Sequence, residues 1–174
     1  MLIFLIIHEL AHGVTALMFG GELKGIWFSS FFGFGQKSNG VNCFTFYTYT
    51  TYNDNILCYR CVKIAGSFAA IISAFLINRI SKKRKNLTIY LVSSNAIYIE
   101  ILYWAISPLI KNGDAYQLLQ SFKLVNITIS LIFSLIFFMA LILLFINLTT
   151  TYVEMFLPSM GRKIVENNNN FSNL

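Results

Sequence analysis

From Phe122 to Leu148 the chain carries a single charged side chain, Lys123. A helix needs roughly 20 apolar residues to cross the hydrocarbon core of a bilayer, and this run is longer. Three further apolar stretches precede it, from Leu2 to Phe19, from Leu57 to Ile80 and from Asn86 to Ile110. Over the whole chain of 174 residues only 11% are charged and 56% are hydrophobic, whereas about a quarter of an ordinary soluble domain is charged. So few charged groups could not cover the surface of a water-soluble monomer. A disordered chain is excluded as well, because such chains are poor in apolar and aromatic residues.

The expected architecture is mainly α: a polytopic, multi-pass membrane protein, with the cell membrane as its expected location. About four transmembrane helices are expected, near 2–19, 57–80, 86–110 and 122–148, within a membrane-embedded core over residues 1–150. Residues 151–174 read as a polar, disordered tail, because Asn167-Asn168-Asn169-Asn170 is of low complexity. The first stretch has no basic leader and no small-residue cleavage site, so it does not read as a signal peptide. Only seven residues precede His8, about 10 Å of helix at 1.5 Å per residue. Either the helix starts further upstream or it is short and shielded by its neighbours.

Residues 22–56 have a different character. The run Phe44-Thr45-Phe46-Tyr47-Thr48-Tyr49-Thr50 alternates aromatic residues with threonine, the period of a β-strand. Ile26 to Phe34 reads as its partner, with Gln36 to Asn42 as the turn. A β-hairpin is therefore expected over about 26–50, between the first and second helices. A bare sheet edge cannot face lipid, so the hairpin must lie at the interface or against protein.

The net charge of +6, from 13 basic and 7 acidic residues, suits anionic lipid headgroups. No basic stripe with interleaved aromatics points to nucleic acid. Three cysteines cannot build a disulfide framework. The pair in Cys58-Tyr59-Arg60-Cys61 lacks the thioredoxin-like context or the further ligands that a redox or zinc role would require.

The chemistry concentrates in His8-Glu9-Leu10-Ala11-His12, which contains the chain's only two histidines. Residues four apart lie on one face of a helix, so both imidazoles can bind one zinc ion, with Glu9 beside them as general base and acid. Zinc lowers the pKa of a bound water to about 7 and so provides a nucleophile at neutral pH. Ionisable groups inside a membrane helix are costly and default to function. A catalytic zinc takes three protein ligands. Glu22 lies near the end of the same helix, Asp54 in a polar loop, and Glu154 and Glu166 near the tail. Two candidates remain: Asp114, beside Gly113 just past a helix end, and Glu100, inside the third long apolar stretch. Glu100 is alternatively a residue that orients a ligand histidine from behind.

The pattern resembles the site-2 protease family of intramembrane zinc metalloproteases. His8-Glu9-Leu10-Ala11-His12-Gly13 lies in an apolar helix that runs into Gly20-Gly21. Phe28-Ser29-Ser30-Phe31-Phe32-Gly33-Phe34-Gly35 looks like the membrane-associated hairpin that follows the first core helix in that family. Ala65-Gly66-Ser67 is similar to the Ala-Gly-Pro that opens its second core helix. Pro108 with Gly113-Asp114 resembles the segment that supplies its third zinc ligand, although alanine follows Asp114 where the family usually has glycine. The likeness covers residues 1–120, and the histidine motif is its one highly specific part. It implies zinc held by His8, His12 and Asp114, catalysis by Glu9, and a membrane-protein substrate presented as an unwound strand along the hairpin. Two rival readings stay open: a membrane zinc protease of another class with Glu100 as third ligand, and a non-catalytic zinc-binding membrane scaffold.

Overall fold

Helix α1 (Leu2–Met18) closes where glycine permits it. Gly20 takes a left-handed φ of 77°, and the Gly21 N–H donates back to the Ala16 carbonyl at 2.8 Å, a helix ending that side-chain-bearing residues disfavour. The structure is a computed structural model and describes residues 2–28, 32–35, 46–51 and 55–171.

The chain then enters a three-stranded antiparallel sheet of order β2-β1-β3, formed by β1 (Glu22–Phe28), β2 (Phe32–Gly35) and β3 (Phe46–Thr51). This corrects the hairpin expected over 26–50. Ile26 to Phe34 is two strands and not one: β1 folds back on β2, with Ile26 opposite Phe34, and its other edge pairs with β3, with Ile26 opposite Thr48. The link between β1 and β2 and the turn expected at Gln36 to Asn42 fall outside the described residues.

Two long helices follow. In α2 (Ile56–Lys83) the Asn55 side chain caps the start by accepting from the Leu57 and Cys58 N–H groups at 3.0 Å. Lys82 and Lys83 occupy its last turn, where cations offset the helix dipole. In α3 (Leu87–Ile110) Asn86 caps the start. Pro108 sits within its last turn, and the helix ends two residues later at Ile110, capped by Lys111 with a φ of 55°.

The remainder departs from expectation in two places. Residues 114–121 form a short helix, α4 (Asp114–Ser121), and the last helix, α5 (Ile127–Phe171), starts five residues later than expected. Asn126 sets that start by accepting from Thr128 and Ile129. The tail expected to be disordered from 151 is instead helical as far as Phe171, as a continuation of α5. Propagating an existing helix costs far less than nucleating one.

Among the described residues three helical segments, and not four, are long and apolar enough to cross a membrane: α2, α3 and Ile127–Met155 of α5. With 17 residues, α1 spans about 26 Å at 1.5 Å per residue, short of a core roughly 30 Å thick. The outward faces of the three spans are apolar, with Phe75, Leu91, Leu135 and Leu143 exposed, as befits a membrane protein.

Packing brings α1 against α2, α2 against α3, and α3 against α5, with the sheet on α1 and with α4 against α2 and α3. Phe4, Ala74, Ala96 and Ile97 join α1, α2 and α3. Trp104, Ala115 and Leu118 seat α4, and Trp104 stacks on Phe137 of α5 at 5.6 Å between ring centroids. The short helix that carries Asp114 is thereby fixed over the faces of α1 and α2 that carry the histidines and Gly66.

Candidate metal centre

His8 and His12 lie one turn apart on the inner face of α1, with ring centroids 4.7 Å apart. Their neighbour across the interface is Gly66 of α2. A β-carbon there would stand 2.6 Å from His12 Cε1 and 2.7 Å from His8 Cδ2, so the backbone of α2 lies flush against both rings because residue 66 has no side chain.

The back nitrogen of each ring is tied down by a different partner. His12 Nδ1 lies 2.6 Å from the Val62 carbonyl oxygen, which can only accept, so this nitrogen is the donor. His8 Nδ1 lies 3.1 Å from Glu100 Oε1. Both front nitrogens face one oxygen: Asp114 Oδ2 stands 3.6 Å from His8 Nε2 and 3.4 Å from His12 Nε2.

Asp114 reaches this point through a turn that the sequence specifies closely. Gly113 has φ 91°, and a β-carbon on it would fall 2.6 Å from the Tyr103 hydroxyl. That hydroxyl accepts from the Asp114 N–H at 2.9 Å and lies 3.4 Å from Oδ2. Ser107 ties down the same turn by accepting from the Tyr116 N–H at 3.2 Å and donating to the Asn112 carbonyl. Lys63 Nζ holds the other carboxylate oxygen, Oδ1, at 3.2 Å.

These residues fit a metal ion. His8, His12 and Asp114 each offer one ligand atom, and the three atoms lie within 4.8 Å of one another. Two ligands on a tetrahedral zinc at 2.0–2.1 Å would be about 3.3 Å apart, close to the two nitrogen–oxygen separations observed. A neutral ring that donates from Nδ1 carries a lone pair on Nε2. In both rings that lone pair would meet a carboxylate oxygen, an opposition that a cation between them relieves. Two imidazole nitrogens and one carboxylate oxygen form a donor set typical of catalytic zinc.

The cluster opens into a cavity of about 600 Å³. Glu9 lines it beside both histidines, while Thr48 and Thr50 of β3 form another wall. The Thr48 hydroxyl donates to the Glu9 carbonyl at 2.8 Å, which links the sheet to the motif. None of His8, Glu9, His12 and Asp114 is more than 9% exposed.

The structure therefore brings His8, Glu9, His12 and Asp114 to one cavity and places Glu100 behind His8, at the ring nitrogen that faces away from Asp114. Lys63, Tyr103 and Ser107 were not singled out by the sequence. A signal for them existed, since Glu100, Tyr103 and Ser107 recur at helical spacing along α3, and Lys63 is an ionisable group in an apolar span. Among known proteins, no family, no curated protein and no solved structure matches this chain.

Proposed function

We propose that the protein is a multi-pass, intramembrane zinc metalloendopeptidase, seated in the cell membrane, that hydrolyses peptide bonds in or near transmembrane segments of other membrane proteins. The observation that carries this reading is the convergence of three ligand atoms within 4.8 Å on a cavity that Glu9 also lines. His8, His12 and Asp114 would hold the zinc, which when bound supplies a Lewis acid that activates water and polarises a peptide carbonyl. The Glu9 carboxylate takes a proton from the attacking water and delivers it to the amide nitrogen as the C–N bond breaks. Lys63 and Tyr103 hold the Asp114 carboxylate in place. The edge strand β3 turns Thr48 and Thr50 toward the cavity, a setting in which an extended substrate segment can pair along the sheet. Similarity to site-2 proteases in the motif and in the Asp114 segment supports the same reading.

The test is cleavage of a synthetic transmembrane peptide by purified protein in lipid. Cleavage should stop when a chelator removes the metal and return when zinc is restored. A zinc-loaded, folded protein that leaves every such peptide intact would favour a non-catalytic membrane scaffold.

A further inference from the structure

Glu100 is the only acidic residue between Asp54 and Asp114, and it lies midway along the apolar span α3. Its side chain is 9% exposed. One oxygen, Oε1, meets His8 Nδ1 at 3.1 Å. The other, Oε2, is buried and has no hydrogen-bond partner among the described residues. A buried carboxylate with an unsatisfied oxygen destabilises the fold, and an apolar residue would pack between α1 and α3 at lower cost. The carboxylate must therefore serve something other than packing.

Its position identifies that role. The two rings of the motif need the same thing, a donor proton on Nδ1 and a lone pair on Nε2 directed at Asp114. His12 obtains it from a backbone carbonyl, that of Val62. His8 lies about a turn nearer the start of α1, where the side chain of Glu100 fills the corresponding place. The charges agree with this: Glu9, Glu100 and Asp114 in their ionised forms, with Lys63, leave two negative charges around the cavity that all four line. One divalent cation offsets them.

We propose that Glu100 is a positioning residue for the metal centre, holding the His8 ring as the Nδ1–H tautomer so that Nε2 is directed at the ion. The proposal rests on the metal site described above and assigns to this chain the carboxylate–histidine–metal relay that tunes many zinc sites. Such outer partners change metal affinity by about 10–100-fold when removed.

The experiment measures zinc dissociation constants by chelator competition for the parent, Glu100→Gln and Glu100→Ala proteins in detergent, alongside the melting temperature of each metal-free form. Glutamine keeps an acceptor for Nδ1–H but loses the charge, so Glu100→Gln should weaken zinc binding by about 10-fold and Glu100→Ala by up to about 100-fold. In the zinc-loaded, nitrogen-15-labelled parent, the His8 Nδ1 proton should resonate downfield, and in Glu100→Ala it should move upfield. A packing role alone would shift the melting temperatures and leave zinc affinity unchanged. If Glu100→Ala does not fold, the nearly isosteric Glu100→Gln decides. Zinc binding within twofold of the parent in the folded variants, with the His8 resonance unmoved, overturns the proposal. A parent protein that takes up no zinc instead overturns the metal site, a separate result.

Discussion

Glu9→Gln is expected to bind zinc as the parent does and to cleave a transmembrane peptide roughly 10²–10⁴-fold more slowly, the contribution of a positioned general base. The two properties separate because Glu9 lines the cavity but is not among the three residues whose ligand atoms converge. Glutamine has nearly the same shape and can still hydrogen-bond to water, but it cannot accept the proton. The checks are single-turnover cleavage kinetics and metal analysis on the same preparation. Undiminished cleavage would remove Glu9 from the chemistry. Loss of zinc together with cleavage would show that Glu9 supports the ion.

Gly66→Ala is expected to disable the centre from the opposite side. In an ordinary helix alanine is favoured over glycine by about 1 kcal/mol, so a generic glycine would gain from the change. Here the new methyl would stand 2.6 and 2.7 Å from carbons of the two imidazoles, well inside van der Waals contact. Overpacking of this kind typically costs 1–3 kcal/mol, and with two ring systems and a helix backbone involved, the upper part of that range outweighs the propensity gain. Either α1 and α2 move apart or the rings rotate, and in both cases the nitrogens lose their common focus. The expected outcome is a lower melting temperature and a loss of zinc affinity of at least tenfold, read by thermal denaturation and chelator competition. A stabilised Gly66→Ala protein with parental zinc affinity would mean that α2 does not press on the histidines.

Gly66 also illustrates what could be read in advance. The small residues Ala65-Gly66-Ser67 permit close helix approach, but the sequence does not say what approaches. The histidine motif was legible because its geometry is local: four residues along a helix suffice to set both rings on one face. Elimination among the acidic residues left both Asp114 and Glu100 open, and only the family resemblance implied Asp114; its placement depends on Gly113, Tyr103 and Ser107, which act across a turn and a helix interface and leave no contiguous pattern. Lys63 escaped notice because a lone lysine in an apolar span has no partner until folding brings Asp114 to it. The double role of β1 had a similar cause. Alternation marks strands, but it does not say that the stretch from Ile26 to Phe34 holds parts of two of them. The helical continuation to Phe171 ran against local composition, because helix propagation from α5 overrides weak preferences among polar residues.

All of these contacts converge on one claim, that His8, His12 and Asp114 hold a divalent cation. The most direct measurement is the zinc content of purified, detergent-solubilised protein after reconstitution with zinc and removal of excess, compared with the His8→Ala/His12→Ala double variant. The expected result is about one zinc per parent chain and none in the double variant, with both proteins helical. A folded parent protein that stays free of zinc, its two imidazoles satisfied by Glu100, Val62 and Asp114 alone, would contradict the metal centre.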